Sequence, residues 1–142
     1  MKPKYVVVHC SESPNNRVDL RLDSAGAIHQ WHKERGWSGI GYHYVIDENA
    51  NIHNGRPVFK DTKTFWEGAH TLGHNHESIA ICLIGNDYFY PEQLKALFNQ
   101  IHELLEIWPD LLVAGHNNLD SNRTCPNFDV IDWWLNGNEI GD

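Results

Sequence analysis

Apolar positions along this chain follow two periods, and the switches between them mark its elements. Tyr5 to Cys10, YVVVHC, is β-branched and continuously apolar, which predicts a strand buried on both faces. After the polar loop SESPNNRVDLRLDS, Asp23 or Ser24 can cap a helix from about Ala25 to Arg35, packed through Ile28 and Trp31 and ended by Gly36. GWSGIGYHYVIDENANIHNG predicts two strands joined by a turn at Asp47 to Asn51. Alternation there puts Tyr42, Tyr44 and Ile46 on one face and His43 and Val45 on the other. Arg56 to Asn75 mixes glycines with aromatics and predicts a long functional loop. Ser78 to Ile84, SIAICLI, is the second strongly buried strand. Pro91 at a first helical position opens the longest helix, which ends near Trp108 before Pro109. Its stripe of Leu94, Leu97, Phe98, Ile101, Leu104, Leu105 and Trp108 must lie on a sheet. Leu111 to Ala114 predicts a short strand, and Val130 to Leu135 a terminal helix docked by Trp133 and Trp134. Strands and helices alternate without strict βαβ order. The expected fold is α/β in the mixed α+β sense: one central mixed sheet of about five strands flanked by helices.

Composition narrows this picture. At 142 residues without repeats or an internal linker, the chain reads as a single domain over 1–142. Its net charge of -8, with no Lys or Arg stripe, excludes a nucleic-acid partner on electrostatic grounds. Three cysteines make an odd number that suits no disulfide framework, so a reducing place of synthesis is expected. The apolar run at the N-terminus is far too short for a signal segment or a spanning helix, which predicts a protein made in the cytosol with no export address and no membrane insertion.

The chemistry concentrates in GHNNLDSNRTCPNF, Gly115 to Phe128. Its asparagines, aspartate and proline are turn residues that continue neither helix nor strand. His116 and Cys125 lie nine positions apart in this loop, and an imidazole with a thiolate suits Zn²⁺. His9, at the end of the first strand, is the best third ligand. With ten histidines in the chain, residue types alone leave a chance grouping open. Cys10 and Cys82 sit in apolar runs, where free cysteine behaves as a small hydrophobe, and Cys10 alternates away from His9.

Four blocks in order, VVVHCSES, WHKERGWSGIGYHYVID, EGAHTLGHNHESIAICLIGN and GHNNLDSNRTCPNFD, resemble the signature of the zinc-dependent N-acetylmuramoyl-L-alanine amidases of type 2. That superfamily includes the peptidoglycan recognition proteins, and the compact chain is most similar to the short phage endolysins called phage lysozymes. The resemblance implies one zinc ion held by His9, His116 and Cys125, with hydrolysis of the amide between N-acetylmuramic acid and L-alanine in peptidoglycan. It implies catalytic parts for Tyr42, in GYHY, and for Arg123, which stands where phage members carry a lysine. A guanidinium cannot trade a proton at neutral pH, so Arg123 is expected to stabilise charge or clamp substrate. His70 and Asn75 are expected to line the substrate groove or brace its wall, and Trp37, Trp66 and His74 to lie near it. His43 is expected to satisfy an internal hydrogen bond. Some related amidases carry a glutamate where this chain has Cys82.

Many peptidoglycan recognition proteins lose the zinc cysteine and only bind; a chain that keeps His9, His116, Cys125 and Tyr42 is expected to catalyse. Some phage relatives bind RNA polymerase through an N-terminal extension, for which eight residues before His9 leave little room. The resulting expectation is a monomer made in the host cytoplasm that acts on the cell wall, reaching it through a separate membrane-permeabilising partner.

Overall fold

The computed structural model describes residues 2–12 and 40–136. The helix expected between 25 and 35, and Trp37, lie outside them. Five strands form the central sheet: β1 (Tyr5–Cys10), β2 (Tyr44–Ile46), β3 (Ile52–Asn54), β6 (Ser78–Leu83) and β7 (Leu112–Gly115), in the order β3-β2-β6-β1-β7. β1 pairs parallel with β6 and β7, and β2 parallel with β6; β3 alone runs antiparallel, on β2. The mixed sheet flanked by helices is therefore the one the hydrophobic pattern predicts. β1 and β6 are its centre, and from Val6 and Ser78 onward every residue in them is buried.

One face is covered by α1 (Pro91–Ile107) and α3 (Val130–Leu135). Val6, Val8, Ile46, Ile79, Ile81 and Leu83 meet Leu94, Leu97, Ile101 and Leu104 there, with Trp133 filling the end. Each such side chain contributes about 1.5–3 kcal/mol through its burial. Phe98 and Leu105, at the margins of the predicted stripe, are only partly buried. Pro91 starts α1 as expected, and Gln93 ties the helix to the sheet: its buried amide donates to the Ile46 and Ile84 carbonyls at 3.2 and 2.9 Å.

Two segments differ from expectation. Within the loop expected over 56–75, β4 (Val58–Phe59) and β5 (Thr64–Phe65) form a small antiparallel hairpin, and a 3₁₀ turn follows at Asn75–Glu77. Two-residue strands are too short for an alternation signal. The polar loop after β7 opens with a single helical turn, α2 (His116–Leu119), because the Asn118 side chain accepts from Gly115 N–H at 2.7 Å and caps it. Turn-forming residues can start a helix where one of them caps it.

Candidate active site

The opposite face of the sheet carries His9. In register, His9 of β1 lies beside Cys82 of β6, and Cys82 beside Val45 of β2. β7 ends at Gly115, so His116 emerges at the carboxyl edge of the parallel strands, next to the end of β1. That edge is where open parallel sheets bind ligands. The following loop folds back on itself through Asn117 N–H to the Cys125 carbonyl, 2.9 Å, and Asn122 N–H to the Asp120 carboxylate, 3.0 Å. Phe128 anchors it against Phe89 and Trp133. The fold thereby brings Cys125 to the end of β1, where Cys10 N–H points at its sulfur from 2.9 Å.

His9, His116 and Cys125 converge: one donor atom from each lies within 4.8 Å of the others. His9 and Cys125 are buried and His116 is half-buried. Burial, reinforced by neighbouring histidines, holds His9 well below the usual imidazole range; burial also lowers His116. Both imidazoles are neutral at pH 7 and keep a lone pair to donate. The neighbouring Cys10 thiol and burial push the Cys125 thiol up, so its ionisation calls for a cation. Two imidazoles and one thiol form a donor set that fits zinc, with a tetrahedral position left over.

His9 is held from behind. Its Nε2 lies 3.0 Å from His70 Nδ1 and 3.3 Å from the Thr71 hydroxyl, and Thr71 lies 2.8 Å from the same His70 nitrogen. A proton on His9 Nε2 leaves the lone pair on Nδ1, the arrangement a ligating histidine needs. Asn75 in turn accepts the backbone N–H groups of His70 and Thr71 at 2.8 and 2.9 Å. It braces this wall through its side-chain oxygen. Asn75→Ala orphans both groups and is expected to lower stability by about 1–3 kcal/mol, measured by urea unfolding.

Tyr42 stands beside His9, ring centroids 5.1 Å apart, and packs with Ile40, Val45, Cys82 and Ile84. It is therefore on the face of Val45 and not, as strict alternation predicts, on that of Tyr44 and Ile46, which pack under α1. The chain bends at His43 and β2 begins only at Tyr44, so alternation does not extend back to Tyr42. Gly41 sits at this bend because a Cβ there would meet the Ala69 carbonyl oxygen at 2.1 Å. That close approach presses the segment bearing His70 against the one bearing Tyr42.

His43 satisfies internal hydrogen bonds as expected: its Nδ1 accepts from Ala80 N–H at 3.0 Å and its Nε2–H donates to the Trp66 carbonyl at 2.6 Å. Burial lowers it to about 4, and lowers His70 to about 3. These folded values lie below the unfolded one, about 6.5, so the unfolded chain binds more protons through that window. Stability of the metal-free protein is thus expected to fall as pH drops from about 6.5 toward about 4, by a few kcal/mol, read as a declining urea midpoint.

Arg123 lies on the loop between His116 and Cys125 with its side chain 60% exposed, 4.0 Å from Asp120. Its charge reaches His116, and it lines an open cleft of about 600 Å³ with Asn117, Thr124, Asn127 and Asp129. Trp66 is exposed, and His74 is paired with Glu77 at 2.7 Å. Sequence reasoning missed Thr71, whose only signal was its place beside His70, and the approach at Gly41, which a GIGY turn hints at without naming its partner.

A neutral imidazole pair and a thiol gathered at a sheet edge, with a tyrosine alongside, is an arrangement used by hydrolases that work through a bound cation. More particularly, the chain belongs to the N-acetylmuramoyl-L-alanine amidase family, whose model matches residues 1–128. It is 32% identical over 138 residues to the endolysin of Escherichia phage T7, covering 91% of this chain and 83% of that protein. Among solved structures it is similar to the N-acetylmuramoyl-L-alanine amidase LysC from Clostridium intestinale, with a TM-score of 0.77 and 27% identity over 96% of this chain and 87% of the other. It is also similar to peptidoglycan recognition protein-LE in complex with tracheal cytotoxin, a monomeric diaminopimelic acid-type peptidoglycan. There the TM-score is 0.73 and the identity 25%, over 89% of this chain and 75% of the other.

Proposed function

We propose that this chain hydrolyses the amide between N-acetylmuramic acid and the L-alanine of the stem peptide, as a monomeric, zinc-dependent endolysin. The observation that carries this reading is the convergence of His9, His116 and Cys125 from three distant stretches of chain. The chemistry a bound zinc supplies is Lewis acidity toward the scissile carbonyl and the attacking water. Tyr42, next to His9, orients that water or donates to the oxygen as negative charge develops on it. Arg123 contributes fixed positive charge to the same oxygen or to a substrate carboxylate. His70 and Thr71 keep His9 in one tautomer, while Asn75 holds the wall of the groove in place.

Among the described residues no helix is long and apolar enough to cross a membrane. A solved relative's complex with a peptidoglycan fragment supports the substrate class. Mass spectrometry of purified sacculi after digestion tests the reading. Stem peptides released with a free L-alanine amine are expected; cut glycan strands with peptides still attached to muramic acid overturn it.

Arg123→Gln is expected to lower kcat by about 10- to 100-fold by removing one charge from the developing oxyanion. Because guanidinium does not titrate near neutrality, Arg123 supplies no limb of its own and the pH–rate profile should keep the same number of limbs, though their positions can shift because its charge reaches His116. A limb lost in the variant would instead mark Arg123 as taking part in proton transfer.

A further inference from the structure

Two of the three donors are set by regular structure: His9 lies in β1, and His116 follows directly on β7. Cys125 belongs to no strand or helix, so hydrogen bonds and packing must hold it in reach of the other two. Its sulfur takes the Cys10 N–H and its carbonyl the Asn117 N–H, both at 2.9 Å. The turn that carries it is closed by Asn127 N–H on the Thr124 carbonyl at 2.8 Å. Asn127 has a φ of 68°, in the left-handed region that asparagine tolerates better than most residues. From there its side-chain amide crosses 41 positions of sequence and donates to the Asn86 carbonyl at 2.6 Å, with the Asn86 side-chain oxygen at 3.3 Å. Asn86 is itself moored. Its neighbour Gly85 donates an N–H to the Ser11 hydroxyl at 3.0 Å, and Ser11 N–H donates to the Leu83 carbonyl at 2.9 Å. The tether thus runs from the Cys125 turn to the end of the strand that carries His9.

We infer that Asn127 is a positioning residue for the metal: its side chain moors the Cys125 turn to the loop after β6 and so holds the sulfur in place against the two imidazoles. The inference rests on the zinc reading of His9, His116 and Cys125. A ligand loop that is free to wander spends part of its time out of reach, and its apparent affinity falls with the fraction of time it is in place. One hydrogen bond at an exposed position adds little to global stability, but acting on this one turn it shifts that fraction. Asn127 also lines the cleft with Arg123, so a substrate contact is the competing role. That role predicts a change in KM instead.

The test is zinc binding by the full chain, measured by competition with a chromophoric chelator. Asn127→Gly keeps the left-handed φ and removes the tether; it is expected to raise the zinc dissociation constant about 3- to 10-fold, with the zinc-free thermal midpoint nearly unchanged. The zinc concentration needed for half-maximal hydrolysis should rise by the same factor. Asn122→Gly adds the same backbone freedom at an exposed position of the loop, and is expected to leave zinc affinity within about twofold of the parent. If Asn127→Gly does not fold, Asn127→Asp, which keeps the shape and loses the donor, takes its place. An affinity equal to the parent's, a loss matched by Asn122→Gly, or a rise in substrate KM with zinc affinity unchanged overturns the inference. A parent that binds no zinc refutes the zinc reading and this inference with it, whereas a zinc-binding parent beside an unaffected Asn127→Gly refutes only the part of Asn127.

Discussion

Stripping divalent metal with a chelator is expected to abolish hydrolysis and to lower the thermal midpoint, with zinc restoring both. The site draws His9 from β1, His116 from the first turn after β7 and Cys125 from the end of a polar loop, all within 4.8 Å. Without a cation, three donors buried or half-buried face one another, and the Cys125 thiol keeps its proton. An ion present at 100 to 1,000 times its dissociation constant stabilises the folded state by about 2.7–4.1 kcal/mol. In a domain of this size that corresponds to roughly 10 °C in the midpoint. Cys125→Ala should reproduce the loss of activity and remove the midpoint's response to zinc. Activity and midpoint indifferent to chelation would leave the proposed chemistry without its source of Lewis acidity.

Tyr42→Phe is expected to lower kcat by about 10²–10³ while leaving zinc content intact, the loss typical of one preorganised hydrogen-bonding group at a developing oxyanion. The substitution removes a single oxygen from a ring that otherwise keeps its packing against Val45, Cys82 and Ile84. Stability should therefore change little, and the effect should fall on kcat and kcat/KM together, as for an interaction made mainly in the transition state. A loss confined to KM would show a tyrosine that only binds substrate. Binding of peptidoglycan fragments without turnover would place the chain with relatives that recognise and do not cut.

Much of the scaffold can be read locally. YVVVHC and SIAICLI are apolar at every position or nearly so, and they are the two central strands buried on both faces. Pro91 with the Leu94, Leu97, Ile101 and Leu104 spacing specifies α1 without reference to any other part of the chain. The ligand set came from motif blocks, since spacing alone left ten histidines to choose among. Tyr42 shows where periodicity fails: the rule holds inside a strand, and the bend at His43 puts this side chain on the other face.

What the sequence by itself determined is the central strands, the long helix and the terminal helix, the mixed sheet and the identity of the chemical groups, because hydrophobic period, capping and turn chemistry act within a few residues. Only the tertiary structure decided which groups meet. Thr71 reaches His9 from 62 positions away, and the Cys10 backbone reaches the Cys125 sulfur across 115. Cys82 lies under Tyr42 because β6 pairs with both β1 and β2 in one particular register. Register is fixed by the packing of whole faces and by close approaches such as Gly41 on Ala69, and no local pattern encodes it.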